Sequence, residues 1–411
     1  MTFTFVKTAL DERQEQGLLR KRRLVSSTRD GLVNIDGNAC LNFASNDYLG
    51  LSQHPDVLQA FVEGLAEYGA GSTSSPAVCG HMLPHLQLEE ALCALLNKSS
   101  VLLFNSGFAA NQALCQALFN SSPSASIGNT TKTRTGHDQK AFILSDKLMH
   151  ASFLEGAMHT SARLMRFKHN DIHHLASRLE SCLGDTLVAT EGVFSMDGDL
   201  GHVAKIQNLI AQQASPYQRQ FLVDDAHAFG VIGENGLGSV EQTGVNADSI
   251  DIIMATFGKA LGTAGAFIAG DSALNEFLIN FAKHYVYSTA MPPAQAVATL
   301  KSLQIMSVGK EREQLKENIN TFTSLAKSKG LFLMESSTAI QPLLIGDAVA
   351  CMQASEKLMT LGIFVPGIRP PTVEKGKARL RITLSALHSQ QDIQALVDAL
   401  CIVRDQQGWG V

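Results

Sequence analysis

An acid and an imidazole stand three residues apart in Asp224-Asp225-Ala226-His227, directly after the apolar run Phe221-Leu222-Val223. At a strand's carboxyl end such a pair can meet one ligand together. A helix-capping acid beside a satisfied core histidine is the plainer reading of the same residues. Further on, Thr256-Phe257-Gly258-Lys259-Ala260-Leu261-Gly262 sets a lysine between glycines after a second apolar run. Burying an ammonium is costly unless the amine is neutralised or used, so Lys259 is a candidate to form a Schiff base with a carbonyl group. A surface lysine in a glycine turn is the alternative. A phosphate-loop lysine is not, because the spacing Gly-x-x-x-x-Gly-Lys-[Ser/Thr] is absent. In a third segment, Asn105-Ser106-Gly107-Phe108-Ala109-Ala110-Asn111, an apolar run passes into a helical pattern through Ser-Gly, which turns backbone N–H groups toward an anion. Thr256 offers the same anion a second contact. A Schiff-base lysine, an acid for a pyridinium nitrogen and a helix start for a phosphate are together what pyridoxal phosphate requires.

Elements must exist to bring these segments together. Short runs rich in Val, Ile and Leu recur near 100–104, 141–145, 186–190, 220–224 and 250–256, each followed by helical periodicity. This is the βαβ pattern of a mostly parallel sheet, and ligands gather at the carboxyl ends of such strands. Ahead of it, residues 8–23 alternate apolar and charged positions at helical spacing and end in Arg20-Lys21-Arg22-Arg23, cations suited to a helix C-terminus. From about Pro292 the pattern changes to a long helix, strand-like stretches at 331–334 and 340–345, a helix at 350–361, strands at 363–367 and 379–384, and a last helix from Gln391. The expected organisation is an N-terminal arm (1–44), a large α/β domain (45–291) and a smaller α+β domain (292–411). Residues 121–140, with eight Ser or Thr between 121 and 135, read as a solvent loop or insertion.

Composition narrows the functions further. The 411 residues are 45% hydrophobic and 17% charged, enough to bury a sizeable core. Lys plus Arg number 33 against 38 Asp plus Glu, so the basic excess of a nucleic-acid binder is missing. Apolar stretches fall far short of the roughly 20 residues that span a bilayer, and the first residues lack the order of a signal peptide. The expectation is a cytoplasmic protein with neither nucleic acid nor membrane as partner. Seven scattered cysteines, without Cys-x-x-Cys, read as buried thiols rather than metal ligands or disulfides. No Gly-x-Gly-x-x-Gly follows the first strand of the sheet, which disfavours a nucleotide-dependent oxidoreductase.

Longer motifs then carry a resemblance: Asn-Phe-Ala-Ser-Asn-Asp-Tyr-Leu-Gly-Leu (42–51), Thr-Glu-Gly-Val-Phe-Ser-Met-Asp-Gly-Asp (190–199), Val-Asp-Asp-Ala-His (223–227), Thr-Phe-Gly-Lys (256–259), Tyr-Ser-Thr-Ala-Met-Pro-Pro (287–293) and Ile-Arg-Pro-Pro-Thr-Val (368–373). From about residue 8 to 402 the chain resembles the α-oxoamine synthases, fold-type I pyridoxal phosphate enzymes. The resemblance implies a seven-stranded-type sheet and a PLP-dependent acyltransferase. It implies that Lys259 holds the cofactor, Asp224 faces the pyridine nitrogen, and His227 with Ser195 bonds the ring phenolate oxygen. Gly107, Phe108 and Thr256 match the family's ring-and-phosphate contacts. His150 matches a histidine that stacks on the ring and touches substrate, with helix capping as its alternative. Arg369, Thr372 and Arg381 match the substrate end, as does Arg20, whose alternative is a solvated helix end. An Arg fork suits a carboxylate because two parallel hydrogen bonds fix its plane. Thr289, with Ser288, matches a segment lent by a second subunit, implying a homodimer. The substrates implied are L-alanine and a pimeloyl thioester, carried on coenzyme A or an acyl carrier protein; glycine with a short acyl-CoA is the alternative. Gly69–Gly80 departs from the family's usual Gly-Ser-Gly-Gly-Ser, and 121–140 looks extra.

Overall fold

The apolar runs become strands of one seven-stranded sheet in this computed structural model, which describes residues 3–16, 18–20, 22–29, 31–120 and 141–409. The Ser/Thr-rich interval 121–140 lies outside them. In chain order the strands are β1 (Ser100–Phe104), β2 (Phe142–Asp146), β3 (Arg163–Phe167), β4 (Thr186–Glu191), β5 (Arg219–Asp224), β6 (Ile252–Thr256) and β7 (Ala266–Gly270), laid side by side as β1-β7-β6-β5-β4-β2-β3. Neighbours are parallel except at β7, which runs antiparallel to both β1 and β6. The architecture is mixed α/β with a mostly parallel sheet. β2 and β4 are buried along their whole length, the condition that makes such strands read as continuous apolar runs. One layer of core gathers Leu102, Phe104, Ile143, Phe153, Leu187 and Ile252. Each large side chain so removed from water contributes roughly 1.5–3 kcal/mol.

Two strands escape a reading by apolar runs. β3 is Arg-Leu-Met-Arg-Phe at the sheet's edge, with Arg163 and Arg166 exposed; charges there discourage pairing with another chain. β7 is Ala-Phe-Ile-Ala-Gly, too small in its side chains to stand out.

The chain divides into two compact units, a larger one of Asn46–Glu317 with Glu335–Ala339 and a smaller one of Met1–Ser45, Asn318–Met334 and Ile340–Val411. A boundary at 292 follows the change of sequence pattern, whereas the contacts change later, inside the helix Lys310–Ser328. The reason is packing: the helix Pro293–Val308 lies against Pro55–Tyr68 and Leu83–Leu96, so closely that a Cβ on Gly64 would come within 2.8 Å of the Ala294 backbone.

In the smaller unit the first helix is Thr4–Glu15, not 8–23, and buries no residue. Gln16 caps it and Gly17, a residue that favours a helix stop, follows in the sequence. The arginines beyond therefore do not form its last turn. The strands Val25–Arg29, Leu32–Ile35 and Asn38–Asn42 form an antiparallel set to which Ile363–Phe364 adds a parallel strand. A second sheet orders Ile340–Gly346, Ala378–Thr383 and Gly367–Ile368, with helices Ala348–Thr360 and Gln390–Gln407. No strand forms at 331–334: Leu333 makes one isolated bridge to Leu343 before the chain leaves this unit at Glu335. The cysteines also depart from expectation in part. Cys40, Cys115, Cys182 and Cys351 are buried, but Cys79 is exposed on the short π-helix Pro76–Gly80. Among the described residues, no helix is long and apolar enough to cross a membrane.

Candidate active site

Strand alternation separates the two adjacent acids at the end of β5. Asp225 turns to a structural partner, Ser239, whose Oγ donates to it at 2.5 Å and whose N–H donates at 2.9 Å. Burial first, then the charge of Asp224, pushes the Asp225 carboxyl up to about 7 against those two hydrogen bonds. Asp224, 4% exposed, takes the N–H of Ala226 on Oδ1 at 3.1 Å and the amide of Asn111 on Oδ2 at 3.0 Å. Asn111 lies in the helix Gly107–Asn120 that follows β1.

The same amide also donates to Ser152 Oγ at 3.0 Å, and Ser152 Oγ lies 2.7 Å from His150 Nδ1. The Ser152 N–H meets that nitrogen too, at 3.2 Å, so Nδ1 accepts and the Ser152 hydroxyl donates to it. His150 is thus both the cap of helix Ala151–Met158 and the end of a chain Asp224–Asn111–Ser152–His150, with its proton on Nε2. Surrounding protein atoms push the His150 imidazole down, Asp224 pulls it back up, and Lys259 pushes it down again. The neutral ring this favours is the form the hydrogen bonds require.

His227, 7% exposed, has its Nδ1 2.6 Å from the hydroxyl of buried Tyr48. Ser195, partly exposed, sits in the loop after β4, a tight hairpin closed by Phe194 and Asp199. At the other end, Ser106 Oγ accepts the Ala109 N–H at 3.2 Å and opens the helix at Gly107. A Cβ on Gly107 would lie 2.6 Å from Thr256 Cγ2, so only glycine lets the helix start approach the end of β6. Thr256 Oγ1 is buried without a hydrogen-bond partner, a donor held for something not made of protein. Phe108 is 42% exposed. The carbonyl of exposed Thr289 accepts the Asn105 amide at 2.7 Å, which brings the 287–293 segment beside this loop.

Lys259 lies on the nine-residue connection, 257–265, between β6 and β7, partly exposed. Its charge acts on both His150 and Glu191. Gly262, at φ +65°, takes the left-handed turn that closes the connection, with the Ser52 backbone standing where a side chain would go. Glu191 ends β4 in register with Asp224. Fully buried, it is held well above the usual carboxylate range by burial and by Asp224, while Lys259 and the N–H groups of Ser195 and His150 pull the other way.

The larger unit therefore brings together Asp224, His150, Lys259 and, through Asn105, Thr289, with Gly107 against Thr256. In the smaller unit, Arg381 is buried on Ala378–Thr383, its Nη1 3.0 Å from Thr383 Oγ1. Arg369 is partly exposed and its carbonyl accepts the N–H of exposed Thr372; Arg20 is exposed. Sequence reasoning missed Tyr48, Asn111, Ser152 and Glu191. Glu191 was findable, since it ends a strand just as Asp224 does; the others gain their roles only from residues distant in sequence.

An unpartnered hydroxyl at Thr256, a glycine-only helix start beside it, a buried acid held in orientation and a lysine within electrostatic reach fit pyridoxal phosphate. Comparison with known proteins agrees. A sequence profile of the aminotransferase class I and II family matches residues 38–400. The 8-amino-7-oxononanoate synthase of Pseudomonas savastanoi pv. phaseolicola is 44% identical over 396 residues, 96% of this chain and 94% of the relative. That of Thioalkalivibrio sulfidiphilus is 43% identical and covers 96% of both chains. Among solved structures, 8-amino-7-oxononanoate synthase from Francisella tularensis is 28% identical with a TM-score of 0.74, covering 90% of this chain and 99% of that one. Sphingomonas wittichii serine palmitoyltransferase, 25% identical, reaches a TM-score of 0.87 over 99% of this chain and 98% of its own. The chain belongs to the aminotransferase class I and II family and is a pyridoxal phosphate-dependent acyltransferase. Within that class its place is among the 8-amino-7-oxononanoate synthases of biotin biosynthesis.

Proposed function

We propose that this protein condenses L-alanine with a pimeloyl thioester, releasing 8-amino-7-oxononanoate, carbon dioxide and a free thiol. The observation that carries the reading is buried Asp224, held from behind by Asn111 and Ala226 at the carboxyl end of β5. Pyridoxal phosphate, when bound, supplies the electron sink for the carbon that loses its proton. Asp224 would be the charge-assisted partner of the ring nitrogen. Lys259 would hold the cofactor, and its amine would serve as the base that takes the α-proton of alanine. His150, whose Nδ1 is occupied by Ser152, would contact the cofactor and offer Nε2–H to substrate. His227 and Ser195 bond the phenolate oxygen, and Gly107, Phe108, Thr256 and Thr289 serve the ring and phosphate. Arg381, with Arg369, Thr372 and Arg20, binds substrate carboxylate and acyl groups. A carbon–carbon bond forms between alanine Cα and the acyl carbonyl as thiolate leaves; the bond to the carboxylate then breaks, and Cα is reprotonated.

Product identification by mass tests this. Cofactor-loaded protein, given pimeloyl-CoA or a pimeloyl carrier protein, should yield 8-amino-7-oxononanoate with L-alanine and little with glycine. A preference for glycine with short acyl-CoA would overturn the substrate assignment and leave the cofactor chemistry standing. The ratio of rates on the two thioesters identifies the donor.

A homodimer belongs to the same proposal. Val78 and Tyr287, each 79% exposed, and Leu83, 56% exposed, lie near in sequence to Pro76, His81, Ser288 and Thr289, which line one opening, and these are the apolar groups a second subunit would cover. Sedimentation equilibrium should give twice the chain mass, and Tyr287→Asp should lower both mass and activity. A fully active monomer would sink the idea.

A further inference from the structure

We propose that His169 is a positioning residue: clamped between Asp146 and Asp199, it fixes the spacing between the segment that carries His150 and the loop that carries Ser195. The inference rests on reading those two residues as cofactor contacts.

Asp146 is fully buried at the end of β2, four residues before His150. Asp199 closes the hairpin loop after β4, four residues beyond Ser195, its carbonyl accepting the Phe194 N–H at 3.0 Å. His169 Nδ1 lies 3.0 Å from Asp146 Oδ1, and its Nε2 lies 2.8 Å from Asp199 Oδ2. A neutral imidazole donates only one N–H and would set a lone pair against the second carboxylate; satisfying both requires the imidazolium. The next residue doubles the clip. Asn170, at φ +52°, gives its N–H to Asp146 Oδ2 at 2.9 Å and its amide to Asp199 Oδ2 at 2.9 Å and to the Leu200 carbonyl at 3.0 Å. The His169 ring also meets Phe194 edge-on at 4.4 Å. Ser336 and Thr338 bond the Gly198 carbonyl, so the loop is held from a second side. None of these groups is needed for the chemistry proposed above. What the clip does is join the two walls of the site through one charged ring.

The charge has its own signature. Burial lowers the His169 pKa, but the hydrogen bonds and charges of Asp146 and Asp199 prevail and hold it at about 10. Its folded value is thus raised, so its stabilising effect is complete below the ordinary histidine range and is lost as pH rises toward 10. The titratable groups facing it are Asp146, Asp199 and His202, the last pushed down first by burial, then by the charges of Lys205 and His169.

The test compares wild type, His169→Gln and Asp199→Ala. Glutamine reaches one carboxylate, not both. Folded His169→Gln should bind pyridoxal phosphate about tenfold more weakly and lose about 10- to 100-fold in kcat, with alanine KM moving less than about threefold, the pattern of a displaced reacting geometry. Asp199→Ala, altered on a partly exposed loop, should show the same split and decides the matter where His169→Gln does not fold. Between pH 7 and 10 the melting temperature of cofactor-free wild type should fall further than that of the variant. Cofactor affinity and kcat within about twofold of wild type, or parallel pH–stability curves, would overturn the proposal. If wild type binds the cofactor but makes no product from alanine, the functional reading falls while cofactor affinity and the pH curves still decide this one.

Discussion

Lys259→Ala is expected to abolish steady-state turnover while the protein still folds. The side chain is partly exposed and lies on a connection whose shape comes from backbone bonds: Phe257 N–H to the Gly265 carbonyl, Gly262 N–H to that of Lys259, and Thr263 N–H to that of Phe257, each at 2.9 Å. None needs the amine, so the connection should keep its shape without it. Removing the amine would cost catalysis both the covalent anchor and the base, and a positioned general base alone is worth roughly 10²- to 10⁴-fold. Loss of its charge leaves burial to oppose protonation of His150, and removes one of the three groups that lower the carboxyl of Glu191. Product formation followed over hours, with circular dichroism on the same sample, checks this. Turnover within tenfold of wild type would remove Lys259 from its assigned role.

Asp224→Asn should keep the cofactor and lose most activity, about a hundredfold or more in kcat if the acid stabilises developing charge as such groups do elsewhere. The carboxylate now accepts two hydrogen bonds from protein, Ala226 N–H on one oxygen and the Asn111 amide on the other. Asparagine offers a single acceptor oxygen. Its NH2 must therefore confront one of those donors or turn away, leaving a buried group unsatisfied at about 1–3 kcal/mol. It also presents no negative charge to a ring nitrogen. The phosphate contacts proposed for Gly107 and Thr256 are on other elements, which is why binding should survive. Equilibrium dialysis of pyridoxal phosphate measured beside kcat separates the two effects, and near-normal kcat would eliminate the role.

Much of the fold was legible in the residues because parallel strands buried on both faces leave continuous apolar runs. The rule of looking at strand ends picked out Ser106-Gly107, Asp224, Thr256 and Lys259 as candidates, and the structure places them at or just after the ends of β1, β5 and β6. Reading by apolar runs fails where burial is one-sided or side chains are small, hence the unseen β3 and β7. It also fails for residues whose partners are distant in sequence: Tyr48 meets His227 across 179 positions and Asn111 meets Asp224 across 113, and no local pattern encodes either. The N-terminal helix was read too long because charge periodicity continues past Glu15, while Gly17 argued for an earlier stop.

The reversed strand β7 bears on kinetics. Since β6 and β7 are antiparallel, a nine-residue hairpin suffices between them, where a parallel successor would need a crossover of roughly a dozen residues or more. Lys259 is thus carried on a short connection closed by its own backbone hydrogen bonds. If Lys259 holds the cofactor as proposed, its released amine would stay tethered close by at high effective concentration, and its return would be a unimolecular event.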